Sequence, residues 1–371
     1  MIDDALHAMR HRAARWLARP GIDLPLLGAL LVLMAIGLAT LYSASNQDGG
    51  EVLGQGLRFV AGLVLLLAVS RVPPRLLRVW SPWVYVASVA LLVVVAVLGE
   101  GRGAHRWLDL GVIRFQPSEL LKLAIPMVVA WFIDERPLPP SWFTLAGALV
   151  LVGMPVALIA EQPDLGTALL VAASGLIAVF LAGLAWWRIG VLVAGAAAAA
   201  PVLWHFLHDY QRERVLTLLN PEADPLGTGW HIIQSKIAVG SGGLWGAGWL
   251  HGTQSRLEFL PEHTTDFIFS VFAEEWGLMG VLGLLALYAF IVGRCLWIAV
   301  GAKDTYSRLL AGSIGLTLFV YVLVNGGMVT GLLPVVGVPL PLVSYGGTSA
   351  ISLLTAFGML MSIHAHRKWA G

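Results

Sequence analysis

The sequence has few charged residues and almost no cysteine. Only 12% of its 371 residues are charged and 58% are apolar, whereas a soluble domain has ~25% charged and about 45–50% apolar residues. A water-soluble fold of this length could not bury so much apolar surface, which argues against a soluble enzyme. The single cysteine, Cys295, excludes a disulfide framework and a metal site built from several cysteines. A formal net charge of +1 provides no field that would recruit nucleic acid.

What the sequence does have is a series of long apolar runs. A helix needs ~20 apolar residues to cross a bilayer, and the runs do not alternate as the strands of a membrane barrel do. The predicted spans cover residues 24–45, 53–70, 82–98, 118–133, 143–161, 165–182, 189–208, 266–298, 308–329 and 346–364. We therefore predict an all-α integral membrane protein with about ten transmembrane helices, forming a single transmembrane domain over residues 1–371. The eighth run exceeds one perpendicular crossing, so we expect it to tilt or to extend beyond the bilayer.

The distribution of lysine and arginine predicts how these helices are oriented. Basic residues favour the cytoplasmic side of a membrane, and most of them lie in alternate connecting segments, whereas the connections at 46–52, 162–164 and 330–345 contain none. This pattern predicts a multi-pass protein of the cytoplasmic (inner) membrane with both termini in the cytoplasm. Residues 1–23 are its cytoplasmic tail in this interpretation.

The connection between the seventh and eighth predicted helices is unusually long. It covers residues 209–265 and falls on the extracytoplasmic side. Loops of this length are usually functional or disordered, and the tryptophans and isoleucines in this one argue against disorder. We expect partly amphipathic structure on the membrane surface.

Ionisable residues within or beside the spans crowd toward the outer side. The first group lies around the start of the fourth helix, the second at the turn before the sixth, and the third at the end of the long loop. The candidates are Arg102, Arg106, Asp109, Arg114, Gln116, Glu119, Lys122, Glu161, Gln162, Asp164, Glu258, Glu262, His263 and Asp266. Intramembrane charges are costly and indicate function by default.

A purely structural interpretation of these residues stays open. Asp164 and Asp266 are suitable helix caps, and Glu119 and Lys122, three residues apart, could form an ion pair on one helix face. The convergence of carboxylates and cations from separate segments instead favours a site for an anionic, membrane-borne substrate. Cations hold phosphate or diphosphate groups, and a half-buried carboxylate acquires the raised pKa of a general base.

Several long motifs resemble the SEDS family (shape, elongation, division and sporulation). The matching segments are RWLDLG at 106–111, FQPSELLK at 115–122, QPDLGT at 162–167, QSKIAVGSGG at 234–243, FLPE at 259–262, TDFIF at 265–269, AEE at 273–275 and GLLPVVGVPLPLVSYGG at 331–347. The resemblance covers all ten spans. DPLG at 224–227 and WLHGTQS at 249–255 resemble the elongation branch of the family rather than the division branch.

The resemblance implies an activity and a set of site residues. The activity is peptidoglycan glycosyltransfer from lipid II at the outer face of the cytoplasmic membrane during elongation, with release of undecaprenyl diphosphate. The implied partner is a class B penicillin-binding protein, whose transpeptidase cross-links the new glycan. Asp266 matches the essential catalytic residue of the family. The expected substrate-binding residues are Arg106, Gln116, Glu119, Lys122, Asp164, Lys236 and Ser344.

These residues suggest a mechanism in which Asp266 is the general base. It would deprotonate the sugar 4-hydroxyl of one lipid-linked substrate, whose oxygen displaces the undecaprenyl diphosphate of the other. Arg106, Lys122 and Lys236 would neutralise the leaving diphosphate, alone or with a divalent cation. Because hard cations favour carboxylate oxygens, Glu119 and Asp164 are the candidate ligands for Mg²⁺ or Mn²⁺. We expect no organic cofactor, and membrane lipids but no nucleic acid among the partners.

One departure from the family pattern and two alternative functions remain. Family members have a variable residue between Pro-Glu and His-Thr-Asp, whereas here His263 directly follows Glu262, so a role for this histidine as a partner of the aspartate is in doubt.

Intramembrane charges and broken helices are also features of transporters, which makes a lipid II flippase the main alternative. The one-sided charges and the absence of paired repeats argue against it. A scaffold that only recruits a penicillin-binding protein would leave the polar cluster unexplained.

Overall fold

The computed structural model is almost entirely helical. It describes residues 21–98, 108–109, 114–207, 209–224, 227–253 and 262–367. Within them the chain forms α1 (Leu24–Ala44), α2 (Gly49–Val69), α3 (Pro74–Leu98), α4 (Pro117–Asp134), α5 (Trp142–Glu161), α6 (Leu165–Leu181), α7 (Trp186–Phe206), α8 (Asp209–Leu219), α9 (Thr228–Ser241), α10 (Ile268–Val300), α11 (Thr305–Val329) and α12 (Thr348–Ala365). A 3₁₀ turn covers Pro221–Ala223. Strands β1 (Leu108–Asp109) and β2 (Arg114–Phe115) form a two-residue antiparallel ribbon.

Each of the ten predicted apolar runs coincides with a helix. The largest difference is at α3, which begins at Pro74 rather than near residue 82. The apolar run misses these first turns because Arg75 and Arg78 lie in them. Pro74 is well suited to the first helical position, where a missing N–H costs nothing.

The surface of the helical assembly is apolar, as the membrane prediction requires. Seven of the described helices are long and apolar enough to cross a bilayer, namely α1, α2, α3, α5, α10, α11 and α12, and α6 and α7 contain shorter apolar segments. Large hydrophobic side chains lie outside the fold, with Phe143 91% and Trp186 80% exposed. Because a soluble protein rarely exposes so much contiguous apolar surface, this surface faces lipid. The prediction of an all-α integral membrane protein is confirmed.

Helix α11 lies at the centre of the assembly. It packs against α10, α6 and α4, while α12 packs along α2 and α3 packs along α4. Small residues permit these close approaches, as is usual between membrane helices. A Cβ added at Gly358 of α12, for example, would lie 2.7 Å from the carbonyl oxygen of Leu66 on α2.

The described part of the long connection before α10 is folded. It contains α8, the 3₁₀ turn and α9, followed by a glycine-rich segment at 242–253; residues 254–261 lie outside the described part of the chain. Buried residues of α9 such as Ile232 and Ser235 face the rest of the protein, and the Ser235 hydroxyl donates to the carbonyl of Val329 on α11, 2.8 Å away.

Helix α10 is broken at Gly277, which the sequence did not lead us to expect. Gly277 has a φ of 62° and a ψ of −166°, a conformation that suits only glycine. The segment 243–248 fills the break with backbone hydrogen bonds: Ala247 N donates to Glu274 O (2.9 Å), Gly248 N to Glu275 O (3.0 Å), Leu278 N to Gly243 O (2.9 Å) and Met279 N to Leu244 O (3.1 Å). The backbone groups freed at membrane depth are therefore paired, as a low-dielectric environment demands.

Candidate active site

The N-terminal ends of α4 and α6 are joined by a polar contact. Gln116 precedes the first residue of α4, and Asp164 caps α6 by accepting a hydrogen bond from Thr167 N (3.2 Å). The other carboxylate oxygen of Asp164 accepts from Gln116 Nε2 at 3.0 Å. The cap interpretation of Asp164 is thus correct, and the same side chain also links two predicted site residues. The positive ends of both helix dipoles point to one region, which favours an anion there.

Asp266 lies just before α10 and its backbone is held from α11. Asn325 Nδ2 donates to the carbonyl oxygen of Asp266 (2.9 Å) and to that of Val338 (2.7 Å). Asn325 is fully buried. Its amide therefore fixes Asp266 relative to the segment that connects α11 and α12.

The same connecting segment makes room for the Asp266 side chain. Gly337 has a φ of 73°, and a Cβ added there would lie 3.3 Å from Asp266 Oδ2. Ser344 is buried, and its hydroxyl donates to Thr265 O (2.6 Å) while accepting from Leu340 N (2.7 Å). Ser344 therefore positions the residue next to Asp266.

Three charged groups face the Asp266 carboxyl. They are Glu262, Asp164 and Arg214, the last on α8. Partial burial is the largest cause of a raised pKa at Asp266; together with the neighbouring Glu262 and Asp164 carboxylates, and against the opposing effect of Arg214, it brings this pKa to about 7. A carboxyl with a pKa near neutrality is suited to accept a proton from a hydroxyl and to release it again.

Glu119 and Lys122 form a buried ion pair on α4. Lys122 Nζ lies 2.6 Å from Glu119 Oε1, and their side chains are only 9% and 7% exposed. Glu119 Oε2 accepts from the Ser352 hydroxyl of α12 at 3.0 Å. The Lys122 ammonium lies 5.4 Å from the ring centroid of Tyr321 on α11. The pair therefore connects three helices.

An open cavity adjoins this ion pair. It has a volume of about 750 Å³ including its mouth, and it lies between α4, α11, α12 and the segment 339–344. Most lining residues are apolar, such as Leu318 and Leu353, while Lys122, Tyr321 and Ser344 contribute polar atoms. Ser344 thus lines the cavity on one side and holds the Asp266 turn on the other.

One predicted cation lies apart from this arrangement, and a second falls outside the described residues. Lys236 is exposed on α9, and its methylene stem packs over Gly331, where an added Cβ would lie 3.2 Å from Lys236 Cδ. In the described portion of the protein its ammonium has no hydrogen-bond or ion-pair partner. Arg106 lies outside the described residues.

The pair Glu119 and Asp164 does not fit a divalent cation well. Both Glu119 oxygens are engaged by Lys122 and Ser352, and both Asp164 oxygens accept from Gln116 and Thr167. Among the residues that the structure describes, no three His, Cys, Asp or Glu side chains are grouped to hold a metal ion. A divalent cation at this pair stays a prediction, and no chemical step below depends on it.

Sequence reasoning missed two residues of this site. Asn325 was detectable in principle, because it is an amide within an otherwise apolar run, where polar residues are expensive. Arg214 was visible only as one of several basic residues in a long connection. Its approach to Asp266 depends on how α8 folds back, which no local pattern encodes.

Comparisons with known proteins agree on one family. The model of the FtsW/RodA/SpoVE family, described as "Cell cycle protein", matches residues 23–369. The chain is 56% identical over 349 residues to the peptidoglycan glycosyltransferase MrdB of Escherichia coli (strain K12), covering 94% of both chains. It is 38% identical over 365 residues to the probable peptidoglycan glycosyltransferase FtsW of Trichlorobacter lovleyi, again covering 94% of each.

Solved structures show the same fold. A chain from a study of how a peptidoglycan synthase complex coordinates polymerization and crosslinking superposes with a TM-score of 0.82 at 37% identity, covering 95% of this chain and 99% of that one. The rod shape determining protein RodA of Thermus thermophilus gives a TM-score of 0.72 at 32% identity, covering 96% and 99%. The match extends over nearly the whole length of each relative. The chain therefore belongs to the SEDS family, the family of FtsW, RodA and SpoVE.

Proposed function

We propose that this protein is a peptidoglycan glycosyltransferase that polymerises lipid II during cell elongation. Support comes from 56% identity to a peptidoglycan glycosyltransferase along 94% of the chain and from the RodA-like fold. It works at the outer face of the cytoplasmic membrane as a single domain with ten crossings and both termini inside. The connection between α7 and α10 then lies outside, as does the polar site at the starts of α4, α6 and α10.

The observation that carries the proposal is the placement of Asp266. Its carboxyl is partly buried, lies over Gly337 and faces Glu262, Asp164 and Arg214. In the proposed reaction this carboxylate takes the proton of the acceptor 4-hydroxyl. The oxygen then attacks the anomeric carbon of the donor, and the bond to the diphosphate breaks with its electron pair leaving on the diphosphate.

The leaving diphosphate needs positive charge. The site offers it as charged side chains and as the positive ends of helix dipoles. Arg214 acts electrostatically on Asp266, and the N-terminal ends of α4 and α6 point at the same region. Lys122 adds an ammonium group at the adjoining cavity. Lys236, which lies apart from the Asp266 turn, and Arg106 are further candidates. Charge-assisted contacts of this kind are about twice as strong as neutral hydrogen bonds.

The polyprenyl chain of the substrate requires an apolar path. The cavity between α4, α11 and α12 provides one, with apolar walls and with Lys122 and Tyr321 among its lining residues. The polar residues that link the surrounding helices and turns would line the substrate site; they are Gln116, Glu119, Asp164 and Ser344. A class B penicillin-binding protein is the proposed partner, since a structural relative comes from a complex that couples polymerization with crosslinking.

The test separates an enzyme from a flippase. Purified protein in liposomes, with and without the penicillin-binding protein, receives labelled lipid II, and products are resolved on a gel. We expect glycan ladders that lengthen with time and that appear without net translocation of lipid II. Translocation with no ladder under any of these conditions would contradict the proposal. Addition of EDTA measures whether a divalent cation contributes.

A further inference from the structure

The start of α1 and the ends of α10 and α12 meet around one buried carboxylate. Asp23 caps α1 by accepting a hydrogen bond from Leu26 N (2.9 Å), and its side chain is fully buried. Arg294 of α10 donates to Asp23 from Nε, 3.1 Å from each oxygen, and from Nη2, 2.8 Å from Oδ2. His364 Nδ1 of α12 lies 3.4 Å from the same Oδ2. The Asp23 carboxylate therefore neutralises Arg294 and joins three helices.

A second arginine beside this cluster lacks such a carboxylate. The guanidinium carbon of Arg367, just after α12, lies 4.1 Å from the ring centroid of Trp297, and that of Arg294 lies 3.9 Å from the same centroid. The Arg367 stem passes Gly301 of the α10 terminus, where an added Cβ would lie 3.9 Å from Arg367 Cδ. In the part of the chain that the structure describes, Arg367 forms no ion pair. Two guanidinium groups thus share one indole ring, and only one of them is neutralised.

The excess positive charge favours an anionic ligand. Asp23 engages only Nε and Nη2 of Arg294, whose side chain is 25% exposed. The planar guanidinium group matches the geometry of a phosphate and stacks on aromatic rings. Because Trp297 and Gly301 already hold the Arg367 side chain in place, binding a phosphate there costs less conformational entropy than at a free surface arginine.

The surface next to the two arginines is apolar and faces lipid. Trp297 is 45% exposed, and Phe290 and Val300 on the same helix are exposed as well. Gly293 lies between Phe290 and Trp297, with open space where a Cβ would be. Tryptophan is typical of the bilayer interface, and seven helical residues extend over about 10 Å, so this surface runs from the interface into the hydrocarbon region. A ligand with both a phosphate and an acyl chain complements it.

We propose that Arg294, Trp297 and Arg367 bind the phosphate of an anionic phospholipid, with an acyl chain lying along Phe290 and Gly293. Basic pockets between transmembrane helices bind such headgroups at the cytoplasmic side, and this leaflet follows from the proposed orientation with both termini inside. The lipid phosphate balances the charge of Arg367 and holds the ends of α10 and α12 beside the start of α1. The site lies at the other end of α10 from the Asp266 turn.

The first test measures lipid binding by the purified full-length protein in detergent. Dioleoyl phosphatidylglycerol is titrated, and native mass spectrometry measures the occupancy. We expect wild type to bind one phosphatidylglycerol in preference to phosphatidylcholine. Arg367→Gln should bind it about fivefold more weakly, the effect of losing one basic residue at an anionic surface. The control Arg308→Gln removes an exposed cation near the start of α11 and should leave the affinity unchanged. Equal affinities in Arg367→Gln and Arg308→Gln would overturn the proposal.

The second test uses the wild-type protein alone and does not depend on the folding of a variant. A phosphatidylglycerol with a diazirine in its acyl chain is photoactivated, and mass spectrometry locates the crosslinks. We expect them within residues 290–300, and we expect excess phosphatidylglycerol to suppress them while phosphatidylcholine and soluble glycerol phosphate do not. Crosslinks confined to other helices would contradict the site, and suppression by glycerol phosphate would assign it to free phosphate instead of lipid. Neither test requires polymerisation, so its outcome is independent of the proposed function.

Discussion

At the scale of single residues, the site depends on groups that position Asp266 as much as on Asp266 itself. Asn325 holds its backbone, Gly337 leaves space for its carboxyl, and Ser344 fixes the preceding residue. All three belong to α11 or to the connection that follows it. In the proposed mechanism Asp266 is a general base, which must lie within hydrogen-bond reach of the proton that it abstracts. We therefore expect changes in these positioning groups to lower the rate.

We expect Asn325→Ala to slow polymerisation far more than it destabilises the fold. It removes both hydrogen bonds that join Asp266 O and Val338 O to α11, and a shift of about 1 Å at a catalytic group costs on the order of 100-fold in rate. Glycan synthesis rates and thermal unfolding in detergent measure the two effects. The control, Ser313→Ala, removes a buried hydroxyl of α11 that bonds only within the helix. Equal losses of rate in both variants would refute a positioning role for Asn325.

The ion pair on α4 makes a prediction about stability. Lys122→Met leaves Glu119 buried without its cation, and breaking a buried pair costs about 3–5 kcal/mol. The double variant Glu119→Gln/Lys122→Met removes both charges, so we expect it to be more stable than Lys122→Met alone. Thermal unfolding of the single and double variants completes the cycle. A double variant no more stable than Lys122→Met would show that the charges are not coupled.

At the scale of elements, the break in α10 joins the extracytoplasmic connection to the membrane helices. At the break, segment 243–248 forms backbone hydrogen bonds with residues of α10 that could not pair within the helix. The side chains of Glu274 and Glu275 strengthen this contact by accepting hydrogen bonds from Thr253 N (2.6 Å) and Leu250 N (3.1 Å). The connection is thereby anchored close to the turn that carries Asp266. Folding of α8 and α9 above this anchor brings Arg214 to the site.

Gly277→Ala should destabilise the protein. An alanine there would be strained by its positive φ and would collide with the backbone of Gly246 and Leu244, and such strain alone costs about 1–3 kcal/mol. Gly283→Ala lies on the same helix with open space around the added Cβ and should be neutral or stabilising by up to about 1 kcal/mol. Thermal unfolding in detergent compares the two. Similar unfolding temperatures would contradict the role assigned to the break.

At the scale of the whole molecule, the sequence predicted the helices well, from the apolar runs, but predicted the residues of the site only in part. Ten runs appear as ten helices because membrane burial imposes a simple pattern on composition. Asp164 and Glu119 were identified because polar residues stand out against that pattern. The break at Gly277 and the approach of Arg214 were not identified, because each depends on backbone pairing or folding between segments distant in sequence.

The orientation of the protein in the membrane can be tested by labelling introduced cysteines. Cys295 is buried, so background labelling by a membrane-impermeant maleimide should be low. We expect Glu222→Cys, at an exposed position of the long connection, to react in intact spheroplasts. Arg71→Cys, exposed between α2 and α3, should react only after the membrane is permeabilised. The opposite pattern would invert the proposed topology.

The most direct test of the account is polymerisation of labelled lipid II by Asp266→Asn in complex with the penicillin-binding protein. The substitution keeps the size and the backbone contacts of Asp266 but cannot accept the proton, and a general base contributes typically 10²–10⁴-fold. We therefore predict wild-type unfolding temperature and complex formation with glycan synthesis reduced at least about 100-fold. Glycan ladders formed at the wild-type rate by a correctly folded Asp266→Asn would contradict the central claim.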